Sequence, residues 1–399
     1  MNMKTNTFFS IIIIICIWFA AIAGYYSESA NKLALYIVLP FALILSVFYN
    51  RIIRTNEYFK VLFLLVIWIS VSFIWAGDKE IAFGELKQLL GVFILSYLFT
   101  TMAKRRECIP YLYISYIVLF ISACVYAKNN IFETMISSNS RLDDEKLNAN
   151  TLAYLLFYCT YAIYELKGLF SQRFMKMILD LLFIFTIPLT FITAILTASR
   201  QVFVIQMPLI IALLYFRYYM DVKYKTKVIF LSLVIFLVCL SLPYVTKVYE
   251  DSLLKVRNET SIKDDIRVKL FNDALKVGAE NFPVGVGPGN YMLNSSFKLM
   301  SHNSYSELFA NEGLIGVSLY LILLYLFISK QIRRYMIYKD KQYLVFLTFG
   351  IMYIVDGFFY VFYSQLWLFG AFMLVAAHSE TYYYTNSNSL DKVCYGYNF

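Results

Sequence analysis

Charged residues are scarce in this chain, and their scarcity excludes most soluble proteins of its size. Asp, Glu, Lys and Arg together make up 15% of the 399 residues, whereas a soluble domain carries about 25%. Apolar side chains take their place and reach 60% of the sequence. This composition predicts an all-α polytopic membrane protein.

Signatures of metal and nucleotide binding are also lacking. The six cysteines are scattered with no CxxC pair, which gives neither a thiolate metal site nor a disulfide framework. GVGPGN at 285–290, the glycine turn, lacks both the GxGxxG spacing and a Walker lysine. It indicates a tight turn whose glycines permit close backbone approach. We therefore expect no metal and no cofactor.

Apolar runs long enough to cross a bilayer recur along the whole chain. Each span needs roughly 20 mainly apolar residues, and this criterion predicts about twelve spans. They lie near residues 8–24, 33–49, 61–76, 84–102, 109–127, 151–166, 177–197, 201–216, 228–246, 314–329, 342–360 and 363–378.

Lysine and arginine concentrate in the loops after even-numbered spans, so the positive-inside rule places those loops and both termini in the cytoplasm. These basic residues set orientation and contact anionic membrane lipids, so the net charge of +9 requires no nucleic acid partner. The predicted organisation has four parts: spans 1 to 9 in residues 1–246, with an outward loop at 128–150; a large outward segment at 247–313; spans 10 to 12 in 314–378; and a cytoplasmic tail at 379–399.

One of the chain's two histidines, His302, stands in the large outward segment. Ser304 and Glu307 follow it in the Ser-x-x-Glu spacing of a capping box, which predicts a helix beginning there. The positive end of a helix dipole favours phosphate and disfavours an imidazolium, so a histidine here tends to be neutral and able to accept a proton. Those properties suit transfer from a phosphate leaving group. The alternative is a histidine that only completes the turn into the helix.

Two arginines in outward positions are candidates for binding an anion. Arg267 lies beside an apolar face at helical spacing, and its guanidinium can form bidentate bonds to phosphate. That face consists of Ile266, Leu270, Ala274 and Val277. Arg200 lies in a tight outward turn, against the topology rule, which indicates either a local anionic partner or an arginine that snorkels at the interface.

Acidic residues offer two further interpretations. Asp264 and Asp265 are adjacent and allow a metal-dependent enzyme, but such a pair is more typical of a helix N-terminus. Asp356 falls in the eleventh predicted span, where an acid is costly in lipid and should face the bundle interior or a water-filled cavity. It either lines a substrate path or bonds neighbouring helices.

Three motifs, in order and spacing, resemble the O-antigen ligase and polysaccharide polymerase superfamily of bacterial envelope enzymes. They are TASR at 197–200, PVGVGPGNY at 283–291 after the Arg267 helix, and HNSYSELFANEGLIG at 302–316. In addition, NANTLAYLL at 148–156 is similar to the segment that precedes the middle spans of that superfamily.

The resemblance implies a membrane glycosyltransferase of the bacterial cytoplasmic membrane. Members transfer a glycan from an undecaprenyl-pyrophosphate carrier to a sugar hydroxyl on the outer face, with inversion and without metal or nucleotide. By resemblance, Arg200 and Arg267 hold the pyrophosphate, and His302 orients or deprotonates the acceptor hydroxyl. Arg141 is a further donor-site candidate. The acceptor is a second glycan in a polymerase and the lipid A core in a ligase.

A transporter or flippase of lipid-linked oligosaccharides is the alternative from another class. Transporters place their polar groups near the bilayer midplane, often in inverted repeats. Most candidate residues here lie outside the membrane or at its outer edge, which favours the enzyme. The motifs do not separate a polymerase from a ligase.

Overall fold

The computed structural model describes residues 3–50, 56–128, 149–197, 202–220 and 266–395. Within these ranges the chain forms helices, turns and loops and no strand, which confirms the all-α class. The chain divides into two compact units. The first unit is Met1–Ser115 with Ile266–Phe399, and the second is Tyr116–Asp265.

The α-helices of the described residues are numbered here in chain order. They are α1 Met3–Tyr26, α2 Glu28–Leu33, α3 Leu39–Asn50, α4 Glu57–Ser72, α5 Lys79–Met102, α6 Ile109–Tyr126, α7 Ala149–Leu169, α8 Arg173–Thr197, α9 Met207–Leu214, α10 Ile266–Glu280, α11 Tyr291–Asn294, α12 Ser304–Tyr338, α13 Lys341–Asp356 and α14 Leu366–Tyr395. A π-helical turn joins α2 to α3, and a 3₁₀ turn extends α4.

Seven helical stretches among the described residues are long and apolar enough to cross a membrane. They are Thr7–Tyr26, Glu28–Phe48, Glu57–Trp75, Lys79–Met102, Arg106–Tyr126, Arg173–Ala194 and Ser304–Tyr338, and they coincide with predicted spans 1 to 5, 7 and 10. Helices α7, α13 and α14 occupy predicted spans 6, 11 and 12, and the shorter apolar helix Met207–Arg217 occupies most of span 8. Span 9 lies outside the described residues, so the count of twelve stays a prediction.

Helix α12 is central to the first unit. It packs against α4, α10 and α13, while α14 packs along α5. Its Phe327 ring lies 5.2 Å from that of Phe372 in α14, and Phe372 in turn lies 4.9 Å from Tyr353 in α13. Because these rings are buried, aromatic packing joins the part of α12 around Phe327 to α14, and α14 in turn to α13.

A buried ion pair joins the C-terminal half of α12 to α14. Arg334 Nη2 lies 2.8 Å from Glu380 Oε2, and both side chains are about one-tenth exposed. Beside this pair, the Gln331 amide donates to Ser379 Oγ at 3.2 Å. These polar contacts fix the register of α12 against α14.

The second unit is built around α7 and α8, which pack along each other. Asp180 of α8 pairs with Lys167 of α7 at 2.8 Å and with Arg217 at 2.5 Å. Gln206 Nε2 donates to Thr160 Oγ1 at 2.7 Å in the buried interior. The Asp180 carboxylate thus pairs with two cations, which joins α7 and the segment around Arg217 to α8.

Candidate functional site

Helix α10 folds onto the start of α12 and forms a small core with the glycine turn. This core contains Ala274, Val277, Val286, Tyr291 and Ala310. The helix predicted from the spacing of Ile266, Leu270, Ala274 and Val277 is present. Leu270, Ala274 and Val277 are buried, whereas Ile266 is 46% exposed, because it lies one turn beyond Leu270, whose carbonyl accepts from the Tyr291 hydroxyl.

Asp273 is the polar member of this helix face. It accepts from the Tyr291 hydroxyl at 3.2 Å and from the Ser296 N–H at 3.4 Å. Burial raises the pKa of its carboxyl, but the hydrogen bonds from Ser295, Ser296 and Tyr291 outweigh burial and leave the pKa below the usual value. Burial also raises the pKa of Tyr291 to about 12, so this pair consists of a carboxylate and a neutral phenol.

The glycine turn lies against a break in α12. The N–H groups of Val286 and Gly287 donate to the carbonyls of Ala310 and Asn311 at 3.0 and 2.8 Å. Gly313 has φ 65° inside α12, a value that L residues with a side chain rarely adopt. A Cβ at Gly313 would lie 2.0 Å from the Pro283 carbonyl oxygen. The predicted tight turn with close backbone approach is therefore confirmed.

Glu312, the residue before this break, finds its partners in α4. Trp68 Nε1 donates to the Glu312 carbonyl at 2.9 Å, and Ser72 Oγ donates to the Glu312 carboxyl at 2.5 Å. A break in a helix is tolerated when its orphan backbone groups are satisfied in this way. The role of Glu312 was missed by sequence reasoning, because Trp68 and Ser72 lie in a distant span with no motif.

Two asparagines fasten the glycine turn to its surroundings. The Asn290 side chain accepts from the Asp78 N–H at 2.7 Å and donates to the Asp78 carbonyl at 3.1 Å, at the start of α5. Asn311 accepts from the Tyr291 N–H at 2.8 Å and lies 3.2 Å from the Tyr363 hydroxyl. These four bonds join residues 20 to 212 positions apart in the chain, so local spacing gave no signal for them.

His302 occupies the turn directly before α12. Its backbone has φ 54°, its residue is partly exposed, and its ring centroid lies 6.5 Å from that of Tyr360. On one side of it, Glu307 Oε2 accepts from the Ser301 N–H at 2.6 Å. On the other side, Asn303 Oδ1 accepts from the N–H groups of Tyr305 and Ser306. The histidine is thus held in a defined turn rather than a loose loop.

The predicted capping box needs one correction. Helix α12 begins at Ser304 as expected, but its N-cap is Asn303. The Ser304 hydroxyl donates to the Tyr360 carbonyl at 2.7 Å and accepts from the Phe362 N–H at 2.9 Å. Because this hydroxyl bonds to the connection between α13 and α14, it does not cap α12. Asn303 caps the helix instead, and the Glu307 carboxyl bonds to Ser301.

The other predicted site residues have different outcomes. Arg267 lies in the first turn of α10 and is half-buried, in the same unit as His302. Arg200, Arg141, Asp264 and Asp265 lie outside the described residues. Asp356 ends α13 and is 1% exposed, as predicted for an acid that faces the interior of the bundle.

These observations indicate the class of protein: an integral membrane protein in which a folded segment between spans places a histidine at the start of a central helix. Residues 185–321, about a third of the chain, match the O-Antigen ligase family. This match confirms the O-antigen ligase and polymerase superfamily that the motifs predicted. No curated protein sequence matches the chain.

The family and the apolar helices together give the coarse function. The protein is a glycan-handling membrane enzyme with glycosyltransferase-like activity. Its substrates are lipid-linked glycans and their acceptors in general. Its place is the bacterial inner membrane.

Proposed function

We propose that the protein transfers a glycan from an undecaprenyl-pyrophosphate carrier to a sugar hydroxyl, as a surface polysaccharide polymerase or an O-antigen ligase. The observation that carries this proposal is the turn that holds His302 directly before α12, within the segment that matches the O-Antigen ligase family. A helix start favours a neutral imidazole, which is the form that accepts a proton.

His302 acts as the general base for the acceptor in this proposal. The acceptor oxygen bonds to the anomeric carbon of the donor while its proton passes to His302. The bond between that carbon and the pyrophosphate oxygen breaks, and the pyrophosphate leaves with the electron pair. Attack from the face opposite the leaving group inverts the anomeric centre. A positioned base of this kind contributes roughly 10²- to 10⁴-fold to the rate.

The departing pyrophosphate needs positive charge, and we assign this role to arginines. Arg267 is half-buried in the first turn of α10, where a guanidinium and a helix N-terminus both favour phosphate. Arg200, and Arg141 as a further candidate, are assigned to the donor by the family resemblance. Since guanidinium groups supply the charge, the proposed mechanism needs neither metal nor nucleotide.

We further propose that the site faces outward and that both termini face the cytoplasm. His302 precedes the N-terminus of α12, whereas the basic residues of this helix lie near its other end. They are Lys330, Arg333 and Arg334, with Lys339 at the C-cap. The positive-inside rule places that basic end in the cytoplasm, which puts His302 on the opposite side of the membrane.

The deciding experiment is mass analysis of products formed by the purified protein. The substrate is an undecaprenyl-pyrophosphate-linked repeat unit of its host, with and without candidate acceptors. Longer glycans on the same carrier establish a polymerase, and transfer to the lipid A core establishes a ligase. Folded protein that makes no covalent product refutes the proposal and leaves transport of lipid-linked oligosaccharides as the function to test.

The site assignment is tested by paired variants. His302→Ala should mainly lower turnover at saturating donor, whereas Leu299→Ala, at an exposed position of the same segment, should not. Arg267→Ala should weaken donor use, and Arg267→Lys should fail as well because bidentate contact is lost. The matched control is Lys276→Ala, which removes an exposed cation of the same helix. Normal product profiles for both His302→Ala and Arg267→Ala at wild-type abundance contradict the assignment.

A further inference from the structure

The backbone at His302 is in a conformation that requires support. A φ of 54° brings the Cβ of an L residue close to the following carbonyl. Such a residue persists in this region only when its surroundings determine it, and this is common where a side chain must be aimed. The neighbouring residues therefore decide whether His302 stays where it is.

The support comes from both sides of the histidine and from within α12. Glu307 Oε2 accepts from the Ser301 N–H at 2.6 Å and lies 2.8 Å from Ser301 Oγ. Ser301 Oγ also accepts from the Asn303 N–H at 3.2 Å. Ser301 and Asn303 are 1% and 4% exposed, so water does not compete for these bonds. The two residues that bracket His302 are thus tied together and to Glu307.

Glu307 is suited to this role by its place in the fold. Its Oε2 lies within hydrogen-bond distance of both the N–H and the hydroxyl of Ser301. Glu307 belongs to the first turn of α12, and α12 packs against α4, α10 and α13. The Glu307 carboxyl group therefore ties the turn that carries His302 to the packed helix α12.

We propose that Glu307 is a positioning residue for His302, acting through Ser301 rather than by touching the substrate. The inference rests on the proposed function, because it assumes that the aim of the imidazole limits turnover. A misplacement of about 1 Å at a reacting group lowers a rate by about 100-fold. We expect Glu307→Ala to lower kcat by about 10- to 100-fold with little change in the KM for the donor.

A graded series separates positioning from simple loss of structure. Glu307→Gln keeps an acceptor oxygen for the Ser301 N–H and should retain most of the turnover that Glu307→Ala loses. Ser301→Ala removes the hydroxyl but keeps the backbone bond to Glu307 and should lie between Glu307→Ala and the wild type. Glu280→Ala, which removes an exposed acid of α10, is the control for a general effect of charge.

The decisive measurement is a double-mutant cycle with His302→Ala, using product formation by the purified full chain and recording kcat and KM separately. If Glu307 acts only through His302, Glu307→Ala causes no further loss once His302 is removed, because residues that act as a unit are not additive. A further loss in that background overturns the inference. So does wild-type turnover in Glu307→Ala, or in Ser301→Ala should the Glu307→Ala variant fail to accumulate.

The failure of this inference is distinguishable from failure of the proposed function. If His302→Ala has wild-type turnover, the histidine is not the base and the proposed mechanism fails. If His302→Ala is slow while Glu307→Ala matches the wild type, the mechanism stands and only the role of Glu307 is overturned.

Discussion

Replacing Gly313 with alanine should separate the glycine turn from α12. The new Cβ would lie 2.0 Å from the Pro283 carbonyl oxygen, which is closer than any real contact of this type. Relief requires residues 283–287 to move away, and that movement breaks the bonds from the N–H groups of Val286, Gly287 and Leu314. Alanine also disfavours the φ of 65° at this position.

The size of the effect follows from these contacts. Three backbone hydrogen bonds are worth about 1 kcal/mol each, and the backbone conformation at Gly313, with φ 65° and ψ −161°, costs about 1–3 kcal/mol for a residue with a side chain. Together they lower the local stability by about 4–6 kcal/mol. At about 1.4 kcal/mol for each factor of ten, that change raises the open population by about 10³- to 10⁴-fold.

Hydrogen–deuterium exchange with mass spectrometry measures this opening, because exchange reports the free energy of local unfolding. Peptides that cover residues 283–291 and 310–316 should exchange far faster in Gly313→Ala. The control is Gly84→Ala in α5, where an added Cβ meets nothing within 4 Å and alanine improves helix propensity. Equal exchange in the two variants would refute the reasoning about the break in α12.

Two further predictions concern the first unit. Arg334→Met should destabilise the protein by about 1.5–3 kcal/mol, because the buried Glu380 carboxyl loses its shorter ion pair and keeps only the longer one to Lys330 at 3.4 Å. The double variant Arg334→Met with Glu380→Leu should recover most of the thermal stability in detergent, and no recovery would contradict this account. Since the folded pKa of Asp273 is lowered, its contribution is present above its unfolded pKa of about 3.9 and lost as pH falls through the folded value. Proteolysis of segment 266–303 should therefore increase on acidification, and less so in Asp273→Asn; an identical pH profile in that variant would exclude Asp273 as the cause.

Local sequence patterns predicted the helices well and their partners poorly. The apolar face of α10 and the helix start at Ser304 follow from spacing within a few residues, so both were predicted. The N-cap was misassigned because Asn303 and Ser304 are adjacent and both types cap helices. What decides between them is the Tyr360 carbonyl, which the Ser304 hydroxyl reaches across 56 positions in the chain.

The same limit applies to the site. His302 and Arg267 were predicted as site residues because a histidine or an arginine near a helix start has a recognisable chemistry, and their roles stay predictions. Glu312 and Asn290 were not found, since their partners Ser72 and Asp78 belong to distant helices. Contacts between distant segments depend on tertiary packing, which one sequence without a structure does not reveal.

The bonds between Ser304 and the connection after α13 have a consequence for sequence variation. Ser304 engages only main-chain atoms there: the carbonyls of Gly357 and Tyr360 and the N–H of Phe362. Side chains at 358–361 can therefore be exchanged without removing any of these bonds. Substitution at Tyr360 would change the surroundings of His302 and leave its support in place. Variants at Tyr360 therefore test whether this position influences acceptor choice in the proposed reaction while the bonds of Ser304 remain.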